Sequence, residues 1–325
     1  MCGYGDFVIV CTRESEGAIR EGEGALGTYW VHLIDDVPRD RRPPVQAPRP
    51  TVERATVGVR HRAYATWLNM LALSDEDRAG LRRRGLTDAQ IDDLGYRTMP
   101  VEGRAAIARS IVGMVGAEEA RGIPGLVWRH RRGEDPNRGW WHVRGAPGLL
   151  IPVRDIDGRI AALKVRQPRP KNPKNKYLYV TSSVRPSDEG TYVDIAGAPA
   201  ASVAHVPIAS RSTRASATRL IVTEGEIKAD IITALSGAAT VSVPGVDAWA
   251  LGVDAATAWG PELERVHVAF DMDLRTNARV AETAECLLYE LRREGFATKL
   301  LEWDIAEGKG LDDVLAHRRG VQRAA

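Results

Sequence analysis

Three carboxylates carry the most specific chemistry in this chain. Glu224 follows the apolar run Leu220-Ile-Val-Thr223 and directly precedes Gly225, while Asp271 and Asp273 follow the run His267-Val-Ala-Phe270. A short β-rich apolar run ending in acid is how an open α/β sheet presents ligands at the carboxyl ends of its strands. Two acids two residues apart project to the same side if the strand stays extended to its tip. Three acidic groups converging at one sheet edge form a site for divalent cations. Hard oxygen ligands suit Mg²⁺ or Mn²⁺, the ions used to handle phosphates. Phosphoryl or nucleotidyl transfer needs its developing charge neutralised and its attacking and leaving oxygens aligned, and carboxylate-held ions do both.

The surrounding pattern supplies elements to position these acids. Leu220 to Thr223 reads as a strand, Glu226 to Ser236 as a helix closed by Gly237, and Thr240 to Val243 as a strand ended by Pro244-Gly245. Val266 to Phe270 is the next strand, and Ala278 to Glu294 is a helix in which Ala281, Ala284, Leu288 and Leu291 recur at helical spacing. Thr298 to Leu301 and Leu311 to His317 follow as strand and helix. Such alternation predicts an α/β fold with a parallel, doubly wound sheet over residues 219–318, before a tail at 319–325. Earlier in the chain, residues 1–36 are rich in Gly, aromatic and β-branched residues, and residues 37–63 are a Pro/Arg-rich linker. A mixed α+β region is expected over 64–208. Within it Ser74-Asp-Glu-Asp77 and the capping box Thr87-Asp-Ala-Gln90 open helices, and Leu150 to Val153 with Ile160 to Val165 form a hairpin turned at Asp157-Gly158.

Composition narrows the class. The 325 residues, 44% hydrophobic and 27% charged with a net charge of +2, have room for two domains and an ordinary core. Three cysteines, Cys2, Cys11 and Cys286, argue against a secreted disulfide scaffold. No apolar stretch approaches a membrane span and the N-terminus lacks the apolar core of a signal peptide, so the expectation is a cytoplasmic protein with no membrane partner. A phosphate-binding Gly-x-x-x-x-Gly-Lys-Ser/Thr loop, a Gly-x-Ser-x-Gly elbow and a His-Glu-x-x-His pair are all missing.

The strand ending Glu224-Gly225, followed by the strand ending Asp271-x-Asp273, resembles the Toprim domain shared by DnaG-type primases, topoisomerases, RecR-type repair proteins and some nucleases. The stretch Gly148-Leu-Leu-Ile-Pro-Val-Arg-Asp-Ile-Asp-Gly-Arg159, with Lys176-Tyr-Leu178 downstream, is similar to the segment that precedes the Toprim module in DnaG-type primases. Together with Leu71-Ala-Leu-Ser-Asp-Glu76, Leu81-Arg-Arg-Arg-Gly-Leu86, Leu94-Gly-Tyr96 and Gly122-Ile-Pro-Gly125, it looks closest to the primase-like Toprim proteins of plasmids, phages and integrative elements, over about residues 70–317.

The resemblance implies metal-dependent RNA primer synthesis on single-stranded DNA from nucleoside triphosphates, with a replicative helicase as partner. It implies that Asp271 and Asp273 hold Mg²⁺ or Mn²⁺, and that Glu224 holds metal or acts as general acid/base. Asp312, in Gly308-Lys-Gly-Leu-Asp-Asp313, matches a later acid of the primase pattern, whereas Gly310 replaces an earlier one and Lys228 stands where that pattern has an aspartate. Asp312 and Asp313 also read as the acidic first turn of a helix. Cys2, Cys11 and Trp30-Val-His32 resemble the second part of a zinc ribbon whose first Cys pair is missing, so a zinc site at Cys2, Cys11 and His32 needs a fourth ligand; two unrelated buried cysteines are the alternative. A Toprim-type nuclease and a non-catalytic single-strand-binding or helicase-loading module are the competing functions.

A basic ridge fits a nucleic-acid partner. Between Arg154 and Lys176 there are eight Lys or Arg against two Asp, ending beside Tyr177. Arg154, Lys164, Arg166, Lys174 and Lys176 would meet phosphates and Tyr177 would stack on a base, the arrangement expected for single strands. Trp128-Arg-His-Arg-Arg132 with Trp140 and Trp141 extends this surface. The plainer reading is a solvated basic hairpin.

Overall fold

The computed structural model describes residues 2–4, 8–11, 16, 18, 20–24, 27–33, 52–172, 175–183 and 190–320. The chain divides into two compact units, residues 1–51 and 52–325. In the first, β1 (Cys2–Tyr4), β2 (Val8–Cys11), β3 (Arg20–Gly24) and β4 (Gly27–Leu33) form an antiparallel sheet in the order β1-β2-β4-β3. The side chains of Cys2, Cys11 and His32, the expected zinc ligands, lie outside the described residues.

The second unit opens with α1 (Val57–Asn69), capped by Thr56, whose side chain accepts from the Val59 amide. The helix begins well before Tyr64 and takes in the end of the expected linker, because Val59, Ala63, Tyr64, Trp67 and Leu68 recur on one buried stripe. Then come α2 (Asp75–Arg82), α3 (Asp88–Leu94), β5 (Arg97–Met99), α4 (Arg104–Val115), α5 (Ala117–Arg121), β6 (Leu126–Arg131) and β7 (Trp140–Val143). The capping box at Thr87 and Gln90 is formed, and α3 ends at Gly95 in the left-handed conformation. The expected hairpin is β8 (Gly148–Arg154) and β9 (Ile160–Arg166). Beyond it lie β10 (Tyr177–Tyr179), β11 (Tyr192–Ile195) and α6 (Ile208–Ser212). These strands make two antiparallel sheets, β10-β9-β8-β5 and β11-β6-β7.

The C-terminal half is the predicted alternation: β12 (Arg219–Glu224), α7 (Glu226–Ser236), β13 (Thr240–Val243), α8 (Ala250–Thr257), β14 (Arg265–Ala269), α9 (Ala278–Arg293), β15 (Ala297–Leu300) and α10 (Leu311–Arg318). Its four strands are all parallel in the order β13-β12-β14-β15, a Toprim-type α/β sheet. The buried stripe of α9 is Val280, Ala284, Leu287, Leu288 and Leu291; it shares Ala284, Leu288 and Leu291 with the predicted one, whereas Ala281 is only half-buried. Among the described residues no helix is long and apolar enough to cross a membrane.

One apolar cluster joins the two halves of this unit. Leu81, Leu86, Ile91 and Leu94 from α2, α3 and their loop meet Leu149 and Ile151 of β8, Ile227, Ile231 and Leu235 of α7, and Ala316 of α10. Buried polar pairs accompany it. Lys164 of β9 reaches Glu226 of α7 at 2.7 Å, and the Tyr96 hydroxyl donates to Asp230 of α7. His205 accepts the Arg154 amide at Nδ1 (3.1 Å), which leaves the proton on Nε2, 3.1 Å from Asp230 Oδ1. The His205 and Ser242 backbones exchange two hydrogen bonds, and Val206 N–H donates to Arg154 O, so this segment stitches β8 to β13.

Candidate active site

β12 is flanked by β13 and β14, so the carboxyl ends of β12 and β14 lie side by side. Glu224 is the last residue of β12. Gly225 follows with φ +85°, a conformation that a side chain rarely adopts, and turns the chain into α7. β14 ends at Ala269; Asp271 lies two residues beyond it, and Met272–Arg275 forms a 3₁₀ turn. The extended tip expected for Asp271 and Asp273 is therefore absent. The two carboxylates are brought together differently, by the Lys309 ammonium, which lies 3.2 Å from Asp271 Oδ2 and 2.9 Å from Asp273 Oδ2. Met272 N–H donates to Lys309 O at 3.0 Å, holding that loop in place.

Lys228, in the first turn of α7, hydrogen-bonds Asp271 Oδ1. Glu224 is half-buried, and that burial pushes its carboxyl above the ordinary range. Lys228 pulls it back down while Asp271 and Asp273 raise it further. Lys309 is raised, chiefly by its hydrogen bond to Asp273. Among the described residues no three acidic, His or Cys side chains close around one point as a ready cation cage. The donor set still fits a hard divalent cation: Glu224, Asp271 and Asp273 offer only carboxylate oxygens, and a positive group already bridges two of them.

Asp312 is buried in the first turn of α10 but does not serve as a cap; Asp313 accepts the Gly310 amide instead. Its Oδ2 accepts from the Arg84 guanidinium at 2.8 Å, and its Oδ1 is buried with no hydrogen-bond partner among the described residues. Burial raises its carboxyl, against the pull of Arg84. Arg84 also lines a cavity of about 370 Å³ with Arg83, Arg166, Glu76, Asp77 and Ile227. The same guanidinium thus joins a basic cavity to the acidic cluster.

The basic ridge is only partly what its sequence suggests. Arg154 and Lys164 are buried: Arg154 donates to Leu94 O at 2.9 Å, and Lys164 is held by Glu226, by Pro244 O at 3.3 Å and by the Tyr179 ring, 4.5 Å to its centroid. Neither is available to a phosphate, because β8 and β9 are covered on both faces and their charges are spent on internal partners. Lys176 and Tyr177 are exposed, with Tyr177 opposite Arg166 in the register of β10 and β9. Lys174 lies outside the described residues. Trp128 packs edge-on against Trp141, and Trp140 against Tyr192. Lys309 and Arg84 were not singled out as site residues by sequence reasoning: Lys309 lies in a short Gly-Lys-Gly loop, and Arg84 is 228 residues from its acid, so no local signal links them.

A family model described as a domain of unknown function (DUF3854) matches residues 213–322. No curated protein matches the chain. Among solved structures, the zinc-binding and RNA polymerase domains of the Aquifex aeolicus primase are similar at 12% identity and TM-score 0.57, over 82% of this chain and 59% of that one. A DnaG primase catalytic domain bound to single-stranded DNA is similar at 15% identity and TM-score 0.54, over 81% of this chain and 76% of that one. A DNA primase domain from Pseudomonas aeruginosa is similar at 17% identity and TM-score 0.51, over 80% and 74%. The chain thus spans 59% of the length of the Aquifex structure, and its fold is that of DnaG-type primase catalytic cores.

Proposed function

We propose that this chain is a primase-like, divalent-cation-dependent nucleotidyltransferase that joins ribonucleotides on a single-stranded DNA template. The observation that carries this reading is the placement of Glu224, Asp271 and Asp273 at adjacent strand ends, tied through Asp312 and Arg84 to a basic cavity. In this reading residues 219–318 form the catalytic Toprim domain and residues 64–208 the subdomain that faces the template. Asp271 and Asp273 would hold Mg²⁺ or Mn²⁺, which when bound would supply neutralisation of phosphate charge and alignment of the reacting oxygens. Glu224, with its raised proton affinity, is a further ligand or receives the proton of the attacking hydroxyl. Arg83 and Arg166 meet the phosphates of a nucleoside triphosphate, and Lys176 and Tyr177 meet the template strand by charge and stacking. Replication of a mobile element or phage beside a replicative helicase is the setting this reading takes from the sequence resemblance.

The test is incorporation of labelled ribonucleotides on single-stranded DNA with Mg²⁺ or Mn²⁺, comparing wild type with Asp271→Asn plus Asp273→Asn. Incorporation that the double variant loses is the expected result. Strand cleavage without nucleotides, lost in the same variant, would identify a Toprim-type nuclease. Strand binding with neither activity, unchanged in the variant, would identify a binding or loading module.

A further inference from the structure

The acidic cluster already holds cations of its own. Four carboxylates, Glu224, Asp271, Asp273 and Asp312, meet three cationic side chains: Lys228 on Asp271 Oδ1, Lys309 on Asp271 Oδ2 and Asp273 Oδ2, and Arg84 on Asp312 Oδ2. One negative charge is left over.

The two lysines differ in how firmly they are placed. The Lys309 side chain is 56% exposed and stands in a loop, so it can swing into water when a competing cation arrives. Lys228 is 24% exposed and rises from the first turn of α7, which the buried Lys164–Glu226 pair and the Tyr96–Asp230 hydrogen bond fix in place. A second buried carboxylate oxygen, Asp312 Oδ1, lies near the one that Lys228 holds. Asp312 is 1% exposed, and its Oδ1 lies 2.4 Å from the point where a Cβ on Gly310 would stand. The same point is 3.2 Å from Asp271 Oδ1, the oxygen that Lys228 holds. Asp271 Oδ1 and Asp312 Oδ1 therefore both lie against the Gly310 backbone, close to one another, where a side chain at position 310 would collide with them. A buried carboxylate oxygen without a hydrogen bond is costly unless positive charge stands near it; Arg84 supplies charge on the far oxygen of Asp312, and Lys228 supplies it on the neighbouring Asp271 Oδ1.

We propose that the Lys228 ammonium is a built-in cation that takes the place of a second divalent ion, so that the cluster binds a single ion, at Asp271 Oδ2 and Asp273 Oδ2, where Lys309 withdraws. This rests on the metal-dependent reading above and adds to it the count of ions and the oxygens that receive them. Removing the ammonium leaves Asp271 Oδ1 without its cation and lets it, with the nearby Asp312 Oδ1, take a second ion.

The experiment is a Mn²⁺ titration of the full chain without nucleotide, with free Mn²⁺ read by electron paramagnetic resonance and folding by circular dichroism. Wild type is expected to saturate at one ion per chain, Lys228→Arg at one, Lys228→Gln at two, and Lys228→Gln plus Asp312→Asn at one again. A wild type that binds two ions overturns the proposal whether or not any variant folds. A folded Lys228→Gln that stays at one ion overturns it as well, and a wild type that binds none defeats both the proposal and the metal-dependent reading. Incorporation assays on the same preparations keep the two apart: the expected counts without incorporation would leave the cation assignment standing and remove the polymerase reading.

Discussion

Lys164 is the residue at which sequence and structure disagree most, and its removal has a calculable effect. Its ammonium lies 2.7 Å from Glu226 Oε1, with side chains 5% and 2% exposed. At that separation the attraction is about 6 kcal/mol at an effective dielectric of 20. Much of this offsets the cost of taking both charges out of water. Removing one partner abolishes the attraction but leaves the other charge buried, which costs about 3–5 kcal/mol. That is a large share of the ~5–15 kcal/mol by which a folded domain is stable. Glu226→Leu should fall toward the lower end, because Pro244 O and the Tyr179 ring still face the ammonium. Replacing both, as Lys164→Met with Glu226→Leu, removes both desolvation costs and should return to within about 1 kcal/mol of wild type. Urea unfolding of the three variants measures the cycle. Single variants that lose less than about 1 kcal/mol, or a double variant that loses the sum of the singles, would refute the buried-pair argument. Single-strand binding gives an independent arm. Each phosphate-contacting lysine contributes about 0.7 to the slope of log affinity against log salt. Lys176→Ala should lower the slope by that amount and the doubly substituted protein should not; an equal loss in both would restore Lys164 to the binding surface.

Three further outcomes are expected. Gly225→Ala forces a side chain into φ +85° and should cost about 1–3 kcal/mol in urea unfolding, even though its Cβ would meet open space; a loss no larger than that of a surface substitution would show that the turn can relax. Burial holds the Glu224 carboxyl above its ordinary value of 4.5, so its contribution to stability is full below that pH and is lost as the pH rises through the folded value. Glu224→Gln, which cannot ionise, should therefore gain on wild type in thermal unfolding from about pH 4.5 upward with divalent cations chelated, and a pH-independent difference would contradict it. His205→Ala leaves the Arg154 amide and one Asp230 oxygen without partners, at about 1–3 kcal/mol each, and should raise hydrogen exchange in β8 and α7 together; loss of protection in only one of them would mean the stitch does not couple the two halves.

What could be read in the residues was set by how local its cause is. The bounds of α7 and β13 are punctuated by Gly225, Gly237 and Pro244-Gly245, and the structure keeps them. The onset of α1 was hidden because the preceding Pro/Arg stretch masked a stripe whose partners, such as Ile107 and Ile111, lie on α4. Asp271 and Asp273 were read as a strand tip because alternation says nothing about where pairing stops; β14 loses its partner after Ala269. A lysine or arginine in a strand signals water unless an acid arrives from elsewhere. Glu226 and Leu94 O, the partners of Lys164 and Arg154, are 60 or more residues away. Arg84 shows the same limit at the site itself: its meaning depends on Asp312, which reaches it only once α10 packs against α7.

These distant partners also explain why the cluster keeps its shape although its acids repel one another. Asp271 and Asp273 raise the proton affinity of Glu224 only at short range, so the three stay close only if the elements that carry them cannot part. β12 and β14 are held by their own ladder. α7, which carries Lys228, is held from the other side by Lys164, Tyr96 and His205, and α10, which carries Asp312, is held by Arg84. Every one of those four anchors comes from outside the parallel sheet. The antiparallel half therefore acts on the acidic cluster itself: by fixing α7 it fixes how deep the Lys228 ammonium reaches among the carboxylates, and hence which of their oxygens it covers.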